Sequence, residues 1–270
     1  GQVVRMFCDI RRPDGSPFER DSRRLLKKAV EAAKEMGITC YFGAEFEFYL
    51  FRTGENGEAT RIPYDNAGYM DIAPEDKGEN VRREICLTLV DMGIRPEGSH
   101  HEEGPGQNEI DFRYSDALTA ADNAVTFQAV VKTIAMQNGL SACFSPKPLP
   151  DQSGNGLHIN MSLQGAKDQR QRDAFMAGIL RHVREITAFL NPTEESYLRL
   201  GEKKAPRYVT WSPENRSQLI RIPAARGDAV RFELRSPDPG ANPYIAYALL
   251  IYAGLEGIRT ESSRYMPEIL

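Results

Sequence analysis

The segment Gly43–Phe51 reads GAEFEFYLF, in which bulky apolar residues alternate with acids. In an extended strand Phe46 and Phe48 point to one face, and Glu45 and Glu47 point to the other. Two carboxylates about 7 Å apart on one face repel each other, which indicates that a cation lies over them. An edge strand with its polar face in water is the alternative that this segment alone leaves open.

Predicted helices lie before and after this segment in the sequence. Five stretches repeat apolar residues at helical spacing. They run from a cap at Asp21 or Ser22 to Met36, from a cap at Asn80 to Met92, and over residues 117–138, 172–190 and 243–257. Three of them stop at a glycine, and the strand-like stretches that follow carry acids or a histidine. This order predicts an α+β fold in which helices pack on one face of a sheet whose other face is polar.

The composition restricts the class of protein. With 270 residues, 41% of them hydrophobic, and a net charge of −4, the chain has a globular composition rather than a disordered one. The slight acidity argues against nucleic acid as the main partner. The longest apolar run, Ile245–Leu255, is too short to span a membrane, and we identify no secretory signal. Free cysteines packed in the core, in a reducing and cytoplasmic compartment, are predicted for Cys8, Cys40, Cys86 and Cys143.

The segment Arg231–Arg235 reads RFELR and repeats the alternation. Its two arginines and Glu233 share one strand face, while the apolar residues between them point to the core. A salt-bridged surface explains such a row. The alternative explanation is a site that binds a metal through Glu233 and anionic groups through the guanidinium forks.

Two more stretches carry acids and a histidine. Residues 100–114 are broken by a Gly-Pro-Gly turn, and a hairpin across it would bring Glu102 close to Glu109. Further along, Gly154–Gly156 form a flexible loop that leads into a strand with His158 on its polar face. A single histidine on a strand is more often structural, so His158 is a candidate ligand only in combination with the other motifs.

Together these motifs predict a metal site. Five glutamates and one histidine on separate strands, with no cysteine nearby, form a ligand set for Mg²⁺ or Mn²⁺ rather than zinc. Arginines beside such metals suit phosphoryl transfer, because negative charge develops in its transition state. We find no P-loop, dinucleotide-binding or nucleophile-triad signature. The arginines are Arg199, Arg216, Arg221, Arg226, Arg231 and Arg235.

In the order of its motifs the chain resembles the catalytic domain of glutamine synthetase. The matching segments are GAEFEFYLF, SHHEEGPGQNEIDFRY, KPLPDQSGNGLHINMS, NRSQLIRIP and RFELRSPDPGANPYIAYALL, which extend over nearly the whole chain. The resemblance implies a curved, mainly antiparallel sheet with helices on its outer face. It also implies an enzyme that makes glutamine from L-glutamate, ammonia and ATP through γ-glutamyl phosphate, with two or more Mg²⁺ or Mn²⁺ ions per site.

The resemblance further implies roles for individual residues. The ligands of one metal are matched by Glu47, Glu102 and Glu109, and those of the other by Glu45, His158 and Glu233. Contacts to glutamate are matched by Gly154, Arg199, Arg216 and Arg235, and the three arginines are also matched to the transferring phosphoryl group as catalytic residues. Nucleotide contacts are matched by Glu97, Asn160, Ser162, Arg216, Arg221 and Arg231.

The sequence departs from the family pattern at the flap that shields the site. Members commonly carry a glutamate directly before an Ala-Pro pair, where it helps to deprotonate ammonium, whereas this chain has Lys204 there. A charged lysine cannot accept that proton, and Glu202 is the nearby alternative. The loop before His158 reads Ser-Gly-Asn-Gly instead of Asn-Gly-Ser-Gly, which alters one expected glutamate contact.

Three functions remain open on these grounds. The first is a glutamate–ammonia ligase; the second, favoured by the changed flap, is a γ-glutamyl–amine ligase for an alkylamine or polyamine. The third is a non-catalytic nucleotide-binding sensor or scaffold, against which the intact metal set argues. The resemblance implies stacked homo-oligomeric rings whose sites also use a neighbour's small N-terminal β domain. Residues 1–270 are expected to be the catalytic domain without that β domain or the C-terminal tail, and to be weak or inactive alone.

Overall fold

Strand β1, Thr39–Thr53, is the central strand of a nine-stranded sheet. The computed structural model describes residues 4–225 and 230–261 of the chain. The remaining strands are β2 (Ala59–Pro63), β3 (Pro96–His101), β4 (Gln107–Asp116), β5 (Leu140–Cys143), β6 (Leu157–Gln164), β7 (Tyr208–Ser212), β8 (Gln218–Arg221) and β9 (Phe232–Leu234). The helices are α1 (Ser22–Glu35), α2 (Glu79–Asp91), α3 (Ala117–Gln137), α4 (Gln169–Leu190), α5 (Glu194–Arg199) and α6 (Pro243–Arg259).

The sheet is mainly antiparallel. Its strands follow the order β3-β4-β1-β6-β9-β8-β7, and β2 and β5 pair with further parts of β1. Only β7 and β8 run parallel among the pairs formed by the described strands. The predicted α+β class is therefore confirmed. No helix in the described ranges has both the length and the apolar character needed to cross a bilayer.

The core lies between one face of this sheet and the helices. Phe46 and Phe48 of β1 are buried there, as the alternation predicts. Phe46 packs on Phe127 of α3 with ring centroids 4.9 Å apart, and Phe42 stacks on Tyr247 of α6 at 4.3 Å. Full burial of each such side chain stabilises the fold by about 1.5–3 kcal/mol. The opposite face of β1 is left for polar side chains.

The ends of the helices agree with the sequence in most cases. Asp21 caps α1 by accepting a hydrogen bond from the Arg23 backbone N–H at 3.0 Å. The predicted cap Asn80 is wrong, because Gly78 is the cap of α2 and its carbonyl accepts the first helical hydrogen bond from Arg82. Helix α4 begins at Gln169, three residues before the predicted start at about residue 172, because Asp168 is its cap.

The prediction for the cysteines is correct only in part. All four are free, but only Cys40 among them is buried in the core. Cys86 and Cys143 are half-buried, and Cys8 is exposed on the segment that precedes α1. An apolar neighbour in the sequence therefore does not by itself place a cysteine in the core, even on a helix (Cys86 of α2) or a strand (Cys143 of β5).

Candidate functional site

Three neighbouring strands bring their acids together on the polar face of the sheet. Glu47 lies opposite Glu109 of β4, and Glu45 lies between Asp111 of β4 and His158 of β6. Directly opposed residues point to the same face, so these side chains converge. The edge-strand alternative is wrong, because β1 has paired strands on both sides.

Glu45, His158 and Glu233 form one compact group. His158 Nδ1 lies 3.1 Å from Glu45 Oε2 and 3.6 Å from Glu233 Oε1. The other oxygen of Glu45 accepts a hydrogen bond from Asn160 Nδ2 at 2.7 Å. The structure thus brings together the three residues that were matched to one metal.

Glu109 is shared by three further groups: one with Glu47 and His158, one with His100 and Glu102, and one with Glu45 and Asp111. Within each group the candidate ligand atoms lie within 4.8 Å of one another. In the described ranges Glu47, Glu102 and Glu109 do not themselves form one such group. The second predicted ligand set is therefore spread over two adjoining groups. His100, whose Nε2 lies 3.3 Å from Glu102 Oε1, is not among the predicted ligands.

Negative charge is concentrated in these groups. Burial, together with the charges of Asp111 and Glu47, raises the pKa of Glu109 well above its ordinary value. Burial and the charge of Glu45 raise the pKa of Asp111 to about 6, and Asp111 Oδ1 is buried without a hydrogen-bond partner. Burial also opposes the ionisation of Glu45, but its contacts with His158 outweigh burial and lower the pKa of Glu45 to about 2.

This donor set fits divalent cations that prefer oxygen ligands. Carboxylates predominate in these four groups, and three of the groups add one imidazole, which is the chemistry expected for Mg²⁺ or Mn²⁺. A bound cation would offset the repulsion that keeps the pKa of Glu109 high. The unpartnered oxygen of Asp111 offers a further possible ligand.

A separate acidic group beneath the β3–β4 turn is structural. Asp65, Asp76 and His101 also have ligand atoms within 4.8 Å of one another. However, Arg82 donates two hydrogen bonds to Asp76, at 2.7 and 3.1 Å, and His101 Nε2 lies 2.9 Å from Asp65 Oδ1. Because both carboxylates already have partners, this buried network holds the turn rather than a metal.

Arginines line the same cavity as the acids. Arg199 is 3% exposed and donates to the backbone carbonyls of Ser236 and Arg235, at 2.8 and 3.2 Å. Arg235 pairs with the buried Glu233, and its Nε has no hydrogen-bond partner. Arg216 is exposed at the rim. The three arginines and five of the six metal-matched residues line one cavity of about 230 Å³.

Gly154 and Gly156 let the preceding loop approach these side chains closely. A Cβ at Gly154 would lie 2.3 Å from a backbone carbonyl oxygen. A Cβ at Gly156 would lie 2.6 Å from Arg199 Nη2 and 2.9 Å from His158 Nε2. The Gly156 N–H also donates to Glu47 Oε2 at 2.7 Å. The two glycines are required by this close packing.

A second cavity, of about 360 Å³, adjoins the first at Glu45 and Asp111. Of the residues matched to nucleotide contacts, this cavity is lined by Glu97, Asn160, Ser162 and Arg231, and the first cavity by Arg216 and Arg221. The structure therefore brings all six to two adjoining cavities. Arg226 lies outside the described residues.

Several lining residues are not identified by the sequence reasoning. Tyr69, His100, Glu103 and Asp111 all line the first cavity. Asp111 follows Glu109 by two residues, so strand alternation alone could have identified it. Tyr69 lies in an irregular segment between β2 and α2, where no periodic pattern marks it. Lys204 and Glu202 of the flap also line this cavity.

Comparison with known proteins gives consistent similarities. The family model "Glutamine synthetase, catalytic domain" matches residues 19–267. A glutamine synthetase of Clostridium saccharobutylicum is 50% identical over 272 residues, which cover 96% of this chain and 61% of that protein. One from Staphylococcus aureus strain MW2 is 47% identical over 275 residues, covering 97% and 62%. The chain thus spans about three fifths of the length of these relatives.

Solved structures agree with this similarity. A cryo-electron microscopy structure of Plasmodium falciparum glutamine synthetase matches with a TM-score of 0.84 and 30% identity, over 94% of this chain and 58% of that one. A structure described as a GmaS/ADP complex matches with a TM-score of 0.82 and 34% identity, over 92% and 61%.

Proposed function

Since this chain belongs to the glutamine synthetase family through its catalytic domain, we propose that the protein containing it is an ATP-dependent glutamate–ammonia ligase. The reaction would join ammonia to the γ-carboxylate of L-glutamate through γ-glutamyl phosphate, and would release ADP and phosphate. One observation carries the proposal: buried carboxylates, His158 and the arginines Arg199 and Arg235 line the same cavity.

The proposal assigns the acidic groups to divalent cations. Glu45, His158 and Glu233 would hold one ion, and the other would be held by Glu47, Glu102 and Glu109. When bound, Mg²⁺ or Mn²⁺ would neutralise the phosphates of ATP and polarise the transferring phosphoryl group. The excess negative charge around Glu109 supports this assignment.

The arginines would bind the anionic groups of the substrates. Arg199 is held by two backbone carbonyls, so its guanidinium is fixed before a ligand arrives. Fixed donors contribute more to a transition state than mobile ones, because they need not reorganise as charge develops. Arg235 Nε is buried and without a partner, which suits it to donate to a carboxylate or phosphoryl oxygen. Arg216 would approach from the rim.

The second cavity is proposed as the nucleotide site. Ser162 and Asn160 line it from β6, and Glu97 and Arg231 line it from other segments. It meets the metal-matched acids at Glu45, so a nucleotide there could direct its phosphates towards the arginines. The description of the similar GmaS structure as an ADP complex supports a nucleotide ligand.

A γ-glutamyl–amine ligase is the second candidate, and one observation favours it. Lys204 lines the cavity at the position where the family commonly has a glutamate. A positive side chain there cannot remove a proton from ammonium. Glu202, three residues after Arg199, is exposed and lines the same cavity, so it would be the replacement base.

Activity of the complete polypeptide in its native assembly tests the proposal. The protein should form γ-glutamyl hydroxamate from glutamate, ATP, Mn²⁺ and hydroxylamine, and glutamine when ammonia replaces hydroxylamine. Glu109→Gln should abolish both activities, whereas Glu84→Gln, which changes an exposed acid on α2, should keep them. Phosphate release with ammonia, methylamine and putrescine distinguishes the two ligases.

Two results would overturn the ligase proposal. Absence of glutamine and hydroxamate under every metal condition would refute it. ATP binding measured by calorimetry without any ADP production would favour a nucleotide-binding sensor or scaffold instead.

We also propose a ring-forming homo-oligomer and a cytoplasmic location for the complete protein. The relatives are longer than this chain, which supports a site completed by further segments. The four free cysteines agree with a reducing compartment. Residues 1–270 alone are accordingly proposed to be a weak or inactive catalyst.

A further inference from the structure

Lys204 brings an ammonium group to the mouth of the cavity. Its Nζ lies 3.9 Å from the centre of the Tyr69 ring and 3.0 Å from Glu103 Oε1. The face of an aromatic ring and a carboxylate oxygen both attract an alkylammonium ion. Tyr69 and Glu103 therefore form a cation subsite, and the chain's own lysine fills it.

Contacts other than those with Lys204 hold both walls of this subsite. Tyr69 packs edge-on against His100, with ring centroids 5.8 Å apart. Glu103 lies in the β3–β4 turn, and its second oxygen accepts a hydrogen bond from the Ser153 hydroxyl at 2.9 Å. The subsite is thus built from three separate segments, and its walls do not depend on the lysine.

The flap that carries Lys204, residues 200–206, is held through its backbone. Gly201 N–H donates to the Pro206 carbonyl at 3.0 Å, and Arg235 Nη2 lies 3.5 Å from the Lys204 carbonyl. The Lys204 side chain is 36% exposed, and its flexible stem separates the ammonium from this backbone. The ammonium can therefore leave the subsite while the flap stays in place.

We infer that Lys204 is a specificity residue whose ammonium competes with the amine substrate for the subsite formed by Tyr69 and Glu103. The inference rests on the proposed ligase function, which makes the competing ligand an ammonium or a small alkylammonium ion. When Lys204 turns away, Glu103 Oε1 loses its ion-pair partner and the Tyr69 ring loses its covering cation. An entering amine restores both contacts.

The size of the competition follows from the two contacts that Lys204 makes. A partly exposed ion pair and a cation–π contact together favour the filled subsite over the open one by roughly five- to thirtyfold. The apparent dissociation constant of an amine is raised by the reciprocal of the open fraction. Removing the ammonium of Lys204 should therefore strengthen amine binding by about five- to thirtyfold.

Three variants of the complete protein test the inference. Lys204→Met keeps an unbranched side chain of similar length without the ammonium. Lys204→Arg keeps a cation that can cover Tyr69 and pair with Glu103. Lys203→Met is the matched control, because it removes the same charge from the neighbouring exposed residue of the flap. Each is measured for the KM of ammonium and methylammonium, and for methylammonium binding by calorimetry, which needs no turnover.

The expected result is a KM and a dissociation constant lowered about five- to thirtyfold in Lys204→Met and changed less than about twofold in the other two variants. Unchanged amine affinity in a Lys204→Met protein that keeps the wild-type thermal midpoint would overturn the inference, even if ligation proceeds. An equal gain in amine affinity in Lys203→Met would also overturn the inference, because the gain would then follow from removing any positive charge from the flap. Tighter methylammonium binding in Lys204→Met without any ligation would support the subsite and refute the proposed function.

Discussion

Substitution of Gly156 by alanine tests how tightly the glycine loop is packed on the site. The added Cβ would lie 2.6 Å from Arg199 Nη2 and 2.9 Å from His158 Nε2, so both side chains must move, Arg199 by the larger amount. Arg199 is 3% exposed and is fixed by two hydrogen bonds to backbone carbonyls. A shift large enough to admit the methyl group would break at least one of them.

The cost follows from these contacts. Loss of a hydrogen bond from a charged group and the overpacking of a buried methyl group together cost about 2–4 kcal/mol of unfolding free energy. For a chain of this length we expect a thermal midpoint roughly 5–12 °C lower. Because Arg199 and His158 both belong to the proposed site, hydroxamate formation by the complete protein should fall at least about tenfold.

Urea unfolding and the hydroxamate assay measure the two effects separately. Gly68→Ala is the control, because its Cβ would lie no closer than 3.6 Å to another side chain, Asp71, and its backbone is not left-handed. We expect that control to change the unfolding free energy by less than about 1 kcal/mol. A Gly156→Ala protein with the wild-type midpoint and full activity would refute the packing argument.

Three further predictions concern the core and the surface. Arg82→Met leaves Asp76 as a buried, unpaired carboxylate, so the free energy of unfolding measured in urea should fall by about 3–5 kcal/mol. A decrease of less than about 1 kcal/mol would contradict a buried ion pair. Tyr247→Phe removes a buried hydroxyl that has no hydrogen-bond partner and keeps the ring on Phe42, so the free energy of unfolding should stay equal or rise. A decrease of more than about 1 kcal/mol in that free energy would show that the hydroxyl does have a partner. Hydrogen bonds from His182 to Glu185 and Glu256 raise the pKa of His182 above its ordinary 6.5. Its stabilising contribution is therefore complete below pH 6.5 and is lost as the pH rises through the folded-state pKa. The difference in thermal midpoint between wild type and His182→Gln should shrink as the pH is raised above 6.5, and a difference that stays constant with pH would contradict this contribution of His182.

The strand alternation made much of the site predictable. A period of two determines which side chains share a face, so Glu45 and Glu47 could be separated from Phe46 and Phe48 without a structure. The Gly-Pro-Gly turn likewise predicts the hairpin that brings Glu102 towards the residues of β4, and Glu102 N–H indeed donates to the Gln107 carbonyl.

Other parts of the structure could not be read from local pattern. The strands β7 and β8 have five and four residues, which is too short for a reliable periodic signal. Tyr69 and Lys204 meet across 135 positions of sequence, through segments without regular structure. The start of α2 depends on Gly78 and on a buried pair formed by Arg82, so tertiary contacts override the capping preference of Asn80.

The location of the two kinds of site residue has a consequence for how new substrates can evolve on this scaffold. Most of the metal-matched residues lie on paired strands, where a one-residue shift in register would turn all of that strand's site residues to the other face. Tyr69, Glu103 and Lys204 lie on connecting segments that can change one at a time. Substitutions on these segments can therefore change the contacts around Lys204 one at a time, while the carboxylates held by strand pairing stay in place.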